Sequence, residues 1–205
     1  MIDLYTWGTP NGRKVSIMLE ATGLPYMVHP IDILAGDQFE PEFLDISPNN
    51  RIPAIIDQEG PGGKPMSLFE SGAILLYLAE KTGDFIPTDP VRRMQCIQWL
   101  MWQMGGFGPM LGQAHHFNRF AEETIPYAIK RYTEESKRLW GVLDKQLAGQ
   151  QFIIDQELSI ADFAVYPWAS RFEWQGIHPE EFPHMKEWMD RMAMIEFVQR
   201  GMQVP

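Results

Sequence analysis

Along the first part of the chain, apolar positions recur with two different periods. Ile2–Thr6 reads as a strand, and Val15, Met18, Leu19 and Thr22 then fall at i, i+3, i+4 and i+7, the spacing of one helix face, with Gly23 as its stop. A second strand is predicted over Tyr26–Ile31 and a short helix around Gln38–Asp45. Further strands follow Pro53 and run near Met66–Phe69, and a helix bearing Ile74, Leu75 and Leu78 ends at Gly83. A βαβ unit followed by a ββα unit makes residues 1–82 a small α/β domain. The segment Gly60-Pro61-Gly62-Gly63-Lys64-Pro65 is turn chemistry between two strands, with neither the spacing nor the following helix of a phosphate-binding loop.

The pattern then changes. Residues 83–89 read as a linker, and beyond them strand signals almost vanish, so residues 90–205 are expected to form an all-helical domain. Its clearest helix opens at Pro126 and carries Ile129, Tyr132, Ser136, Leu139, Trp140, Leu143 and Leu147 on one stripe. Ser159-Ile160-Ala161-Asp162 is a capping box with Asp where Glu or Gln is usual, and Met185, Trp188, Met189 and Met192 form a further stripe. Met104-Gly105-Gly106-Phe107-Gly108-Pro109 is expected to break or kink its helix.

Composition narrows the function classes. A 205-residue chain with 45% hydrophobic residues can bury a core, and its formal net charge of −10 argues against nucleic acid as a main partner, which needs clustered Lys and Arg. No apolar run approaches a membrane span, and Met1-Ile2-Asp3-Leu4-Tyr5 has no signal-peptide pattern, so a cytoplasmic protein is expected. The single cysteine, Cys96, precludes an intramolecular disulfide or a Cys-x-x-Cys dithiol. Cys96 shares a helical stripe with Trp99, Leu100 and Gln103, which points it inward. The five histidines show no zinc-type spacing, and no metal is implied.

The candidate chemistry lies in two short segments. In Ser47-Pro48-Asn49-Asn50-Arg51-Ile52-Pro53-Ala54-Ile55-Ile56 a proline opens an apolar strand. A turn with a cis bond there would face the Ile52 N–H and C=O outward, where a peptide ligand could pair as an added strand. In Ser67-Leu68-Phe69-Glu70-Ser71 the pattern switches from strand to helix. Backbone N–H groups and the helix dipole at that start favour an anion, Ser71 adds a hydroxyl donor, and Glu70 can take an ammonium group. Together these suit the zwitterionic end of an amino acid; taken apart, they are ordinary turn and capping chemistry.

With this half-site, the predicted architecture of a thioredoxin-like domain, a linker and an all-helical domain resembles a cytosolic glutathione transferase over nearly the whole chain. Ser159-Ile160-Ala161-Asp162 and Phe182-Pro183-x-Met185-x-x-Trp188 resemble structural signatures of that family. Within it, Thr9-Pro10-Asn11-Gly12, the segment from Ser47 to Ile55, Phe69–Leu78 and Gly108–Gln113 resemble the bacterial nu class of disulfide-bond reductases and related fungal proteins. The resemblance implies that Asn11, Gln38, Ile52, Glu70 and Ser71 contact glutathione, with Arg51 near its glycyl carboxylate and Arg131 reaching in from a partner subunit. Surface placement remains the alternative for Gln38 and Arg131. Thr9 and the Asn11 amide occupy the segment that stabilises the sulfur in many transferases; the alternative for Thr9 is a helix N-cap before Pro10. The implied activity is reduction of small disulfides through bound glutathione, as two molecules or as oxidised glutathione, by a homodimer and without a protein cysteine. Conjugation of electrophiles and non-catalytic glutathione binding are the alternatives.

Overall fold

In the computed structural model, which describes all 205 residues, β1 (Ile2–Thr6) leads through a tight turn into α1 (Pro10–Thr22). Thr9 is the N-cap of α1, Pro10 sits in its first turn, and Gly23 ends it with φ of 67° and an N–H donated to the Leu19 carbonyl. Next come β2 (Tyr26–Pro30), a 3₁₀ turn at Asp37–Phe39 and the short α2 (Pro41–Leu44). The single helix expected over Gln38–Asp45 is therefore split. Pro41 explains the break: the residue before a proline is driven out of the helical region, and Glu40 has φ −66° and ψ 140°.

Strand β3 (Ala54–Asp57), a turn, β4 (Met66–Phe69) and α3 (Ser71–Thr82) complete the set. The sheet order is β2-β1-β3-β4; β1 pairs parallel to β2, while β1–β3 and β3–β4 are antiparallel. Ile2, Leu4 and Ile55 on the central strands pack with Val15, Met18 and Leu19 of α1 and with Ile74, Leu75 and Leu78 of α3, all nearly fully buried. A polar tie fastens α3 to β3: the buried Asp57 carboxylate accepts from Tyr77 at 2.6 Å and pairs with Lys81 at 2.7 Å.

The helical part comprises α4 (Pro90–Trp102), α5 (Gly108–His115), α6 (Pro126–Leu147), α7 (Ile160–Ala169), α8 (Phe172–Gln175) and α9 (Pro183–Ala193). The glycine-rich segment expected to kink its helix forms a π-helical turn at Gln103–Phe107 between α4 and α5, and a second π turn covers His116–Phe120. The capping box at α7 is present. Asp162 accepts from the Ser159 N–H at 2.9 Å, and also from the Ile153 N–H at 3.0 Å and Trp188 Nε1 at 2.9 Å, so one buried carboxylate joins three segments of the unit.

The chain divides into two compact units, Met1–Asp84 with Ile195–Pro205, and Phe85–Met194. The division falls inside the expected linker. The Phe85 carbonyl accepts from the Ile160 N–H at 2.9 Å and its ring lies 5.0 Å from Phe163, which places it in the helical unit. Within residues 90–205, α10 (Glu196–Gly201) packs in the first compact unit, against α1. Ser16 Oγ donates to the Gly201 carbonyl at 2.6 Å, and Arg200 pairs with Glu20 at 2.6 Å. This second packed face explains why α1 also buries Ser16 and Ile17, outside its predicted stripe.

Candidate functional site

Strand register decides which sequence-predicted residues meet. Tyr5 pairs with Ala54, Ala54 with Phe69, and Thr6 with Pro30. Given the strand directions, the C-terminal ends of β1, β2 and β4 and the N-terminal end of β3 lie at one end of the sheet. From that end emerge the turn bearing Thr9 and Asn11, the segment leading to Gln38, the loop holding Arg51 and Ile52, and the Glu70–Ser71 start of α3. Seven residues that hydropathy alone leaves unrelated thus share one edge.

Each is held differently. Thr9 Oγ1 accepts from the Gly12 N–H at 3.3 Å, so the residue is the helix cap that was its structural alternative. That bond uses a lone pair of the oxygen and leaves the hydroxyl proton able to donate elsewhere. Gly12 must lack a side chain here, since a Cβ would collide with Thr6 Oγ1 and the Trp7 carbonyl. Asn11 is half-buried in the first turn of α1. Tyr5, by contrast, stacks on His29 with ring centroids 4.6 Å apart, as packing within the strand predicts.

The loop before β3 is pinned by Ser47, whose hydroxyl donates to the Arg51 carbonyl at 2.8 Å, and by a turn in which Asn50 adopts φ 48°. The Ile52–Pro53 bond is cis, and the β3 ladder begins only at Ala54, so the Ile52 peptide groups lie outside it. Arg51 is exposed. Gln38 is 8% exposed; its Nε2 donates to the Ile33 carbonyl at 3.3 Å, while its buried Oε1 has no partner. A buried amide oxygen without a donor suits a ligand N–H or ammonium.

Glu70 takes φ 71° and ψ 111°, a region few non-glycine residues enter, and its side chain gives α3 no cap. Such conformations cost on the order of 1–3 kcal/mol and concentrate at functional sites. The exposed carboxylate of Glu70 and the buried hydroxyl of Ser71 are thereby presented side by side at the start of a 12-residue helix.

Two residues beside this edge were missed from the sequence. Lys14 is only 1% exposed, and its Nζ lies 3.4 Å from Ser71 Oγ as donor. Burial pushes its ammonium well below the ordinary lysine range, and the charge of Glu70 offsets part of that. The signal was available, since Lys14 lies four residues before Met18, on the buried face extended back one turn. Arg13, half-buried, also has its guanidinium lowered by burial, and its Nε is buried without a partner.

In the helical unit, Arg131 is exposed on α6 and lines an open groove of ≈ 670 Å³ with Lys130, Arg138, Glu134, Glu135, Met110, Tyr127 and Tyr132. Cys96 is fully buried and its thiol pKa is raised by burial, as its inward stripe predicts. His115 is a core residue, 6% exposed. Trp140 Nε1 donates to Gln175 Oε1 at 2.9 Å, so the Gln175 amide presents Nε2 to the Trp168 carbonyl at 2.7 Å and to His115 Nε2 at 3.3 Å. His115 Nε2 must accept, which requires the neutral ring; burial and the nearby Arg171 charge take its pKa down to about 4.

A thioredoxin-like sheet unit, one end of which collects the start of α3, the exposed Glu70 carboxylate and the Ile52 peptide groups outside the β3 ladder, together with a helical unit in the same chain, is the architecture of a glutathione transferase. Residues 1–80 match the glutathione S-transferase N-terminal domain and residues 115–196 the glutathione S-transferase C-terminal domain, and the chain belongs to this family. It is 52% identical over 193 residues to the disulfide-bond oxidoreductase YfcG of Escherichia coli (strain K12), spanning 94% of this chain and 90% of that protein. It is 41% identical to the disulfide-bond oxidoreductase YghU of the same organism, over 98% of this chain and 73% of the relative. Among solved structures, a glutathione transferase family member from Pseudomonas fluorescens pf-5 with two glutathione bound superposes with a TM-score of 0.95 at 47% identity, covering 100% of this chain and 93% of that one. A glutathione transferase from Pseudomonas putida with one glutathione disulfide per subunit gives a TM-score of 0.94 at 46% identity, covering 100% and 91%.

Proposed function

We propose that this protein is a glutathione-dependent disulfide-bond oxidoreductase that reduces small disulfides through the thiolate of bound glutathione, consuming two glutathione molecules and releasing oxidised glutathione. The observation that carries this reading is the convergence at one sheet edge of groups matched to each part of glutathione, in a chain whose only cysteine is buried away from solvent. Ser71 and the start of α3 hold the γ-glutamyl α-carboxylate, Glu70 its ammonium, and the Ile52 peptide groups the central cysteinyl residue. Gln38 accepts from a ligand N–H, and Arg51 lies toward the glycyl carboxylate. Thr9 and Asn11 donate to the sulfur, stabilising the thiolate of a thiol that otherwise titrates near 8.5.

The reaction balances without a protein sulfur. The bound thiolate attacks one sulfur of the substrate disulfide, forming a glutathionyl mixed disulfide and expelling a thiolate that takes a proton. A second glutathione thiolate attacks the glutathionyl sulfur, giving glutathione disulfide and the second reduced thiol. The protein's part is orientation and a lowered thiol pKa.

Two finer statements belong to the same proposal. The protein works as a cytoplasmic homodimer, and Arg131, exposed in its groove on α6, reaches the glutathione site of the second copy. A sedimentation experiment showing a monomer at working concentration would remove both the dimer and that role. The activity itself is tested by glutathione-dependent reduction of hydroxyethyl disulfide, coupled to glutathione reductase, with wild type beside Glu70→Ala and Ser71→Ala. Turnover and glutathione binding that fail in the variants support the site. Absence of turnover in the wild type, with conjugation of an electrophile in its place, would move the function to transfer.

A further inference from the structure

Lys14 is the charged group that the mechanism above leaves unused. A lysine ammonium is almost never fully buried without compensation, because leaving water costs it several kcal/mol. Here the side chain is 1% exposed on a face of α1 where Met18 and Ile17 are buried as well. Its Nζ lies 3.4 Å from Ser71 Oγ, at the first residue of α3, and while burial lowers its pKa the neighbouring Glu70 charge works in the opposite direction. The other charged groups of α1 and of the elements packed on it are Arg13 and Glu20 of α1, Asp3 of β1, Asp57 of β3, Glu80 and Lys81 of α3, and Glu196 and Arg200 of α10; Lys81 pairs with Asp57, Arg200 with Glu20 and Asp3 with His29.

The direction of the bond matters. A hydroxyl oxygen that accepts from an ammonium turns its own proton away from that donor. With Lys14 behind it, Ser71 faces the sheet edge as a donor. Were the same oxygen to find an acceptor behind it, the hydroxyl proton would turn inward and its lone pairs would face an incoming carboxylate.

Resting on the glutathione reading above, we propose that Lys14 is a positioning residue of the site: from α1 it fixes Ser71 as a hydroxyl donor and sets a positive charge behind the γ-glutamyl α-carboxylate, making that carboxylate the group for which the site selects. Lys14 touches no reacting atom. Its contribution appears in the choice of ligand and not in the chemical step.

The test compares two ligands by calorimetric titration of the full-length protein: glutathione, and γ-aminobutyryl-cysteinylglycine, which keeps the ammonium and lacks only the α-carboxylate. Wild type is expected to prefer glutathione by about 10–100-fold, the scale of a hydrogen bond to a charged group. Lys14→Met is expected to erase most of that preference by weakening glutathione alone, and Lys14→Gln, which keeps a donor to Ser71 without the charge, to fall between. Equal weakening of both ligands would make Lys14 a structural residue, and an unchanged preference in the variants would leave it no role; either outcome overturns the proposal while glutathione binding by the wild type stands. Failure of the wild type to bind glutathione overturns the functional reading and this one with it. If Lys14→Met does not fold, Lys14→Gln is judged by the same criteria.

Discussion

Replacing Thr9 with valine separates the two tasks assigned to one oxygen. The cap it gives α1 is a long bond, 3.3 Å to the Gly12 N–H against a usual 2.9–3.0 Å, so its loss belongs at the low end of cap substitutions, about 0.5–1 kcal/mol. For a chain of this size that lowers Tm by roughly 1–4 °C. The proposed bond to the sulfur is of the charged kind, worth about 1.5–3 kcal/mol, and its loss raises the pKa of bound glutathione by about 1–2 units at 1.36 kcal/mol per unit. Turnover falls by less than the thiolate population does, because a more basic thiolate is a better nucleophile, with a Brønsted slope of about 0.4–0.5. The net expectation at neutral pH is a loss of roughly 3–10-fold, with the acid limb of the pH–rate profile moved up by about 1–2 units. Thr9→Ser keeps both functions and should resemble wild type. Ultraviolet thiolate absorbance of the glutathione complex, titrated with pH, reads the shift directly. A valine variant that melts lower yet titrates its bound thiol where wild type does would reduce Thr9 to a cap and refute the sulfur contact.

Other expectations are independent of Thr9. Cys96, fully buried with a raised thiol pKa, should resist iodoacetamide in the folded protein, and Cys96→Ala should keep wild-type turnover; loss of turnover in either case would put a protein sulfur into the chemistry. His115 is neutral when folded, with a pKa of about 4 against 6.5 unfolded, so the unfolded chain binds more protons between those values. Its contribution to stability is therefore complete above pH 6.5 and lost as pH falls through about 4. Urea midpoints measured across that window should fall less steeply for His115→Gln than for wild type. Gly201→Val would press a Cβ within 2.6 Å of the Ile17 backbone nitrogen; overpacking of about 1–3 kcal/mol should lower the melting temperature by several degrees, and an unchanged melt would show that α10 does not dock as described.

The parts of the fold legible in the sequence carry their signal in side chains. Strand β1 ends where its alternation ends, α6 begins at Pro126, and the Ser159–Asp162 box opens α7, because proline and capping residues mark backbone geometry locally. What stayed hidden depends on partners. The docking of α10 on α1 rests on a carbonyl and a missing side chain at Gly201, neither of which has a hydropathy signature. The period places Lys14 on the buried face of α1, but its partner Ser71 comes from α3, 57 residues further on, and the period does not name it. The gathering of Thr9, Gln38, Ile52 and Glu70 at one edge follows from strand direction, with β3 antiparallel to β1 and β2 parallel, and alternation along a strand does not encode its direction. Family resemblance supplied these residues because it carries the topology with it. Arg131 belongs to the other unit.

The interrupted first unit has a consequence for the order of synthesis. Residues 195–205 leave the ribosome after the whole intervening helical unit, yet they pack on α1, where the Gly201 carbonyl accepts from Ser16. Until then Ser16 and Ile17 stay open to water, on the helix that carries Asn11 and Lys14. A nascent chain can therefore shape its sheet early but gains the full rigidity of that helix only once the helical unit has been made.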